Sequence, residues 1–266
     1  MKQYFSKRNR ALLSELVRTD FKLRYQGSVL GYAWSLLKPL LLFAILYIVF
    51  VRFLKLGKGV PHYPIYLLLG IVMWNFFTEM TSQSLGSIVA RGDLIRKISI
   101  PRWIIVFSSS ISALINLGLN LIVVLVFMVF NRVDVLETSL WLPLILIEVY
   151  LFALGCSLIL ATLFVRFRDI SYIWEVLLQA GFYLTPILYP LTAIPNVTIQ
   201  KLLLLNPMAQ AIQDARHGVI THETITMHNL YNNQLFRLIP FAVVAFSVVI
   251  GLLYFKKHSK YFAEEI

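Results

Sequence analysis

WIIVFSSSISALINLGLNLIVVLVFMVF, residues Trp103–Phe130, runs for 28 positions without a charged side chain. A helix rises 1.5 Å per residue, so about 20 apolar residues cross a ~30 Å hydrocarbon core and this stretch reaches about 40 Å. It must tilt or protrude to fit. Working outward, the same pattern recurs at Leu36–Leu54, Tyr63–Met80, Leu140–Val165, Tyr172–Tyr189 and Leu238–Phe255. Short polar breaks separate the runs. The reading is an all-α polytopic membrane protein with six transmembrane helices. Composition agrees, with 59% hydrophobic and 14% charged residues where a soluble domain has about 45–50% and 25%. Soluble enzymes and nucleic-acid binders are thereby excluded. The net charge of +11 belongs to basic residues gathered at a membrane surface.

Those charges set the expected orientation. Of the 24 Lys and Arg, seven (Arg52, Lys55, Lys58, Arg132, Lys201, Arg216 and Arg237) fall on segments assigned outside, and the remaining 17 fall inside. Both termini are therefore expected in the cytoplasm, with the chain in the cytoplasmic membrane. The first ten residues are polar and basic, without the apolar region of a removable signal peptide, so the first span is expected to direct insertion. Ahead of it, Asn9–Tyr25 has helical period. Leu12, Leu13, Leu16, Val17, Phe21 and Leu23 lie on one half of the wheel, and Ser14, Glu15, Arg18, Lys22 and Tyr25 on the other. An apolar face opposite a basic one suits a helix lying in the headgroup plane. The chain divides into a tail and interfacial helix (1–35), a six-helix transmembrane body (36–255) and a C-terminal tail (256–266).

Between the fifth and sixth runs, Thr185–Arg237 is not a simple loop. Pro186, Pro190 and Pro195 precede an apolar run at Ile199–Leu205, then Asn206-Pro207 and a helix-like Met208–His217. Interrupted backbone at membrane depth requires cover from protein or a water-filled cavity. Two half-helices dipping into the outer leaflet are predicted.

Candidate chemistry is sparse. No Gly-x-x-x-x-Gly-Lys-Ser/Thr occurs, so this chain does not bind ATP through a P-loop. The five histidines lack metal-ligand spacing, and no metal site is expected. Cys156 lies inside an apolar run, without a partner for a disulfide. Acids in or beside spans cost at least about 2.5 kcal/mol at the bilayer centre. Glu79 and Glu175 read as boundary residues, and Glu148 as a packed residue for which Asn116 and Asn120, four apart, could be partners. Ala153, Ser157 and Ala161 form a small-xxx-small stripe for close helix packing. Tyr172, Trp174 and Tyr189 suit an aromatic belt. Phe182 and Tyr183 sit deeper and offer flat faces to a sugar-bearing or amphiphilic substrate. Since neighbours on a helix point ~100° apart, at most one of the pair is expected to face a lumen. In GSIVARGDLIRKISIPRW (Gly86–Trp103), Ile88, Val89, Leu94 and Ile95 are expected to be exposed on the basic side. They need either the membrane surface or a partner protein as cover, with Arg91, Asp93, Arg96 and Lys97 to orient docking.

Three ordered stretches carry a resemblance: LVRTDFKLRYQGSVLGYAWSLLKPLL (Leu16–Leu41), RGDLIRKISIPRW (Arg91–Trp103) and LLNPMAQAI (Leu204–Ile212). They are similar to the permease subunits of type-2 ABC exporters for cell-surface polysaccharides such as O-antigen or teichoic acid. The resemblance implies a homodimeric permease working with two copies of a separate ATPase, which binds ATP and Mg and performs hydrolysis. The cargo implied is a lipid-linked polysaccharide. This chain would be a transporter subunit and not an enzyme, without a cofactor of its own. A type-2 permease for drugs or small lipids is the alternative. On the same footing, Arg91, Gly92, Asp93, Leu94, Ile95 and Arg96 become the coupling helix, and Arg168 and Asp169 a second ATPase contact. The amphipathic start becomes a substrate entrance at Arg18, Lys22, Arg24 and Tyr25. Phe182, Tyr183 and Tyr189 become the channel lining, and the half-helices an outer gate.

Overall fold

The computed structural model describes residues 7–25, 28, 30–55, 57, 59–97, 100–134 and 137–265, with side chains except at 21, 23–25, 32 and 263. Among them every regular element is helical. Helix α1 (Lys7–Tyr25) packs along α5 (Trp103–Phe130). Leu16 is buried while Arg18 and Lys22 stay exposed, as the amphipathic pattern requires. Helix α2 (Trp34–Leu46) carries Pro39 inside and continues as a wider π turn over Tyr47–Phe53. Phe43 holds it edge-on against Phe127 of α5, ring centroids 5.8 Å apart.

Helix α3 (Tyr63–Ala90) is the axis of the molecule, touching α2, α5, α6 (Leu142–Arg166), α7 (Ile170–Leu184) and α9 (Pro207–Val219). Short α4 (Gly92–Lys97) joins it to α5. The predicted stripe on α6 meets α3: Ala153, Ser157 and Ala161 are fully buried, and Ser157 Oγ reaches Met80 O at 3.4 Å. A second close contact lies on another side of α6. A Cβ on Gly155 would stand 2.6 Å from the Ser247 carbonyl carbon, and one on Gly251 2.6 Å from Gly155 O. Only glycine lets α6 and α12 (Ile239–His258) approach so closely.

Among the described residues, five helical stretches are long and apolar enough to cross a membrane: Trp34–Phe53, Tyr63–Ala90, Trp103–Phe130, Glu137–Arg166 and Ile239–His258. The expected span Tyr172–Tyr189 departs from this. Its helix, α7, has 15 residues, about 22 Å, and ends where Thr185 turns extended before Pro186, which disfavours a helical residue ahead of it. The chain nevertheless continues antiparallel beside α3. Trp174 Nε1 donates to Thr81 Oγ1 at 3.1 Å, Phe182 meets Trp74, and Tyr63 Oη donates to Leu188 O at 2.5 Å. From Thr81 to Tyr63 is about 27 Å along the α3 axis.

The two predicted half-helices are present as α8 (Val197–Leu204) and α9. Each begins at an asparagine cap. Asn196 accepts from Thr198 N, and Asn206 from Met208 N with Pro207 following at the first helical position. Two four-residue helices, α10 (Met227–Leu230) and α11 (Gln234–Arg237), lead into α12. Helix α13 (Phe262–Glu265) folds back against α4 and α6.

Candidate functional site: a polar groove along the central helix

On α3, Asn75, Thr78, Glu79, Ser82 and Gln83 recur at i, i+3, i+4, i+7 and i+8, which places five polar side chains on one face. Two cavities open along that face and share Leu42, Asn75, Thr78 and Ser82. One, of about 620 Å³, lies toward α2 and α5 and is lined by Trp34, Ser35, Lys38, Glu79, Gln83, Asn116 and Asn120. The other, of about 590 Å³, lies toward α7 and takes Trp74, Trp174, Glu175, Gln179, Phe182 and Tyr183. Together they form a groove running between α2 and α7.

Its polar groups are tied into a network. Glu79 Oε1 accepts from Gln83 Nε2 at 2.7 Å and from Asn116 Nδ2 at 2.5 Å. Asn120 Nδ2 donates to Asn116 O at 2.8 Å and to Ser35 O at 3.4 Å. Glu79 is therefore more than the boundary residue expected. Asn116 and Asn120 serve Glu79 and the α2 backbone and do not meet Glu148. Thr78 Oγ1 and Asn116 Oδ1 keep unfilled hydrogen-bonding capacity. Amides, hydroxyls and a carboxylate beside tryptophan and tyrosine faces make a surface that hydrogen-bonds hydroxyls and stacks on apolar ring faces.

The proposed channel residues divide. Phe182 and Tyr183 both line the α7 side of the groove, with ring centroids 5.5 Å apart. A groove at the edge of the helix spans an arc wide enough for both adjacent side chains. Tyr189 is not on it. Its hydroxyl donates to Tyr183 O and Leu184 O at 3.2 Å and closes the end of α7. Glu175, read as a boundary residue, lines the groove instead.

At the basic end, exposure was overestimated. Ile88 is fully buried, Ile95 is 7% exposed, and Val89 and Leu94 are half-buried against the core. Part of the cover is the chain's own, since α13 packs on α4 and buries Phe262 completely. Asp93, Arg96 and Lys97 stay exposed, while Gly92 is buried. Arg91 turns inward, pairing with Asp20 of α1 and donating to Ser108 Oγ of α5 at 3.1 Å. It thus ties the interfacial helix to α3 and α5. Arg168 and Asp169 are exposed on the α6–α7 turn, with the Arg168 guanidinium 5.2 Å from the Phe164 ring. Arg18 and Lys22 are exposed on α1. The side chains of Arg24 and Tyr25 lie outside the described residues.

At the opposite end a residue was misread. Arg216, counted among outer-loop charges, is completely buried. Its Nε donates to Tyr66 O at 2.9 Å, Nη1 to Pro186 O at 2.6 Å and Nη2 to Ile187 O at 2.8 Å, over the Tyr66 ring at 3.6 Å. Half-helix α9 is thereby fastened to the first turns of α3 and to the segment after α7. Gly70 makes the space, since a Cβ there would lie 2.4 Å from Arg216 Nη2. The burial of Arg216 had no local signal, since α9 also carries Gln210, Gln213, Asp214 and His217. Among the described residues no group of three metal-ligating side chains occurs.

Comparison with known proteins places this architecture. The family model described as ABC-2 type transporter matches residues 11–220. The chain is 30% identical over 254 residues to an O-antigen export system permease protein RfbA of Klebsiella pneumoniae, covering 95% of this chain and 94% of the relative. It is 33% identical over 204 residues to the RfbA protein of Myxococcus xanthus, covering 75% and 76%. To the polysialic acid transport protein KpsM of Escherichia coli it is 24% identical over 204 residues, covering 76% and 78%. With the family model matching residues 11–220 and a relative 30% identical over 95% of the chain, this chain belongs to the ABC-2 type transporter family.

Proposed function

We propose that this chain is the permease subunit of an ATP-driven exporter that moves lipid-linked cell-surface polysaccharide across the cytoplasmic membrane. The observation carrying this reading is the polar stripe on α3 with its aromatic border. A glycan gives up hydrogen bonds to water when it crosses a membrane, and a wall of amides and hydroxyls replaces them. A permease for drugs or small lipids would not need such a stripe in the middle of its most buried helix. The names of the relatives support the polysaccharide class.

In this reading two copies of the chain face each other across the groove. Helices α2 and α7 border it and expose apolar faces, with Leu41, Ile45 and Ile48 on one and Ile173, Val176 and Leu177 on the other. A second copy covering those faces would close the groove into a channel. Helix α7 and the segment to Pro190 complete a sixth crossing, which keeps both termini cytoplasmic. Two copies of a separate ATPase dock at α4 and at Arg168–Asp169. The Asp20–Arg91–Ser108 linkage passes their movement to α1, where Arg18, Lys22 and Arg24 meet the anionic headgroup of the cargo. Arginine suits phosphate through its fork of donors. At the outer end α8 and α9 form the gate.

The test is to make the groove apolar. Asn75→Leu with Ser82→Leu is expected to lower glycan export at least about tenfold in a complex with its ATPase, while insertion and assembly are kept. Unchanged export by the assembled variant would remove the groove from the route.

A further inference from the structure

A third cavity, of about 930 Å³, shares no lining residue with the α3 groove. It is walled by α6, α9 and α12 and by the turn that leads into α6. Leu144, Ile147 and Leu151 on α6 and Phe241 and Val249 on α12 line it, and each is between 37% and 55% exposed. Such side chains on two apolar spans mean that the cavity opens sideways to hydrocarbon. Trp141, 62% exposed, stands at its rim where an indole marks the headgroup level.

The inner wall has the opposite character. Glu148 of α6 meets Gln210 and Asp214 of α9 there. Gln210 Nε2 donates to Asp214 Oδ2 at 2.5 Å. That leaves Glu148 Oε1 and Gln210 Oε1 without a hydrogen-bond partner, on residues that are 9% and 1% exposed. Every unfilled position in this cluster is an acceptor, and no Lys or Arg is among the described residues lining the cavity. The remaining titratable groups facing it are His217 from α9 and His228 from α10. His217 Nδ1 is 3.2 Å from Thr224 O, and its Nε2 is 3.3 Å from His222 Nδ1. His228 Nδ1 is 2.8 Å from Arg237 Nη1. Glu148, Gln210 and Asp214 are therefore the acceptor-rich part of the lining, and Arg237 is held against His228.

We propose that this cavity binds a phospholipid whose headgroup ends in a primary ammonium, as in phosphatidylethanolamine. The ammonium supplies three N–H donors to the Glu148, Gln210 and Asp214 acceptors, the phosphate lies toward His228 and Arg237, and one acyl chain follows the apolar wall. The volume falls in the ~300–1,000 Å³ range that holds a ligand of this scale. A choline headgroup carries positive charge but no N–H, and a glycerol headgroup carries no positive charge, so both should bind more weakly. The lipid would brace α9 against α6 and α12 from the side opposite the Arg216 anchor.

The experiment uses the full chain, delipidated and then offered phosphatidylethanolamine, phosphatidylcholine and phosphatidylglycerol with matched acyl chains, with retained lipid counted by native mass spectrometry. Retention of the ethanolamine lipid is expected to exceed that of the other two at least about tenfold, and to fall to parity in Glu148→Gln with Asp214→Asn. Equal retention of the three by the unaltered protein overturns the proposal, as does a preference that survives in the double variant. Should the double variant not fold, a photoactivatable ethanolamine lipid decides: labelling at Leu144, Phe241 or Val249 supports the site, and labelling confined elsewhere overturns it. Cross-linking of two copies through Leu144→Cys would assign the cavity to a protomer contact and overturn it equally. None of these readouts depends on export, so the outcome is separable from the function proposed above.

Discussion

Trp34–Phe53, formed by α2 and its π turn, and helix α3 are both long and apolar enough to cross a membrane, yet the less apolar of the two is the more buried. Helix α3 is the least apolar of the five spanning stretches and 78% of its most apolar window is buried, whereas α2 is much more apolar and only 11% buried. In water the hydrophobic effect would push α2 inward. In a bilayer the lipid is as apolar as leucine, and what must be hidden is the polar side chain. On α3, Asn75, Thr78, Glu79, Ser82 and Gln83 face the groove between α2 and α7 while its other faces are packed by neighbouring helices, and exposed Leu41, Ile45 and Ile48 leave the Trp34–Phe53 stretch at the periphery.

The sharpest test of that contrast is Arg216, which anchors α9 to the first turns of α3 on the buried side. Arg216→Met leaves three carbonyls without their donor in a dry site, an expected loss of about 3 kcal/mol or more, read as a large fall in unfolding temperature in detergent. Arg216→Lys should recover only part, because one ammonium cannot copy the planar fork. Next in size are the glycines between α6 and α12. Gly155→Leu or Gly251→Leu forces backbone apart and should cost roughly 1–3 kcal/mol. Gly86, with nothing within 4 Å of its Cβ position, should accept alanine without loss in the same unfolding measurement. A smaller effect is expected for Thr81→Val, which removes the Trp174 bond. About 1 kcal/mol should be lost and proteolysis near α7 should accelerate. Smallest of all, Ile45→Ala on the exposed face of α2 should shift monomer stability by no more than about 0.5 kcal/mol. If that variant nevertheless loses cross-linked dimer, the exposed face belongs to a protomer contact and not to lipid.

How far the site was legible follows the range of the interactions. Phe182 and Tyr183 could be selected from their depth in an apolar run. The polar face of α3 is equally legible, since the 3–4 residue period of Asn75, Thr78, Glu79, Ser82 and Gln83 is a local property of the sequence. For Glu148 the sequence offers Asn116 and Asn120 of the third span, which instead serve Glu79 and the α2 backbone. The true neighbours, Gln210 and Asp214, are more than sixty residues away.

By itself the sequence determined whatever depends on a single helix and its solvent: the apolar runs, the basic-apolar split of α1, and the half-helices started by Asn196 and by Asn206-Pro207. These are set by hydrocarbon thickness, helical period and capping, and each acts within a few residues. Only the tertiary structure decided that the expected fifth span is a 15-residue helix continued in irregular chain, that α13 packs on α4, and that Arg216 is interior. Those outcomes depend on which carbonyls and faces are brought together by packing. Tyr66, Pro186 and Arg216 become neighbours only when α3, α7 and α9 assemble, because a buried guanidinium takes its donors' partners from the fold and carries no trace of them in its own stretch of chain.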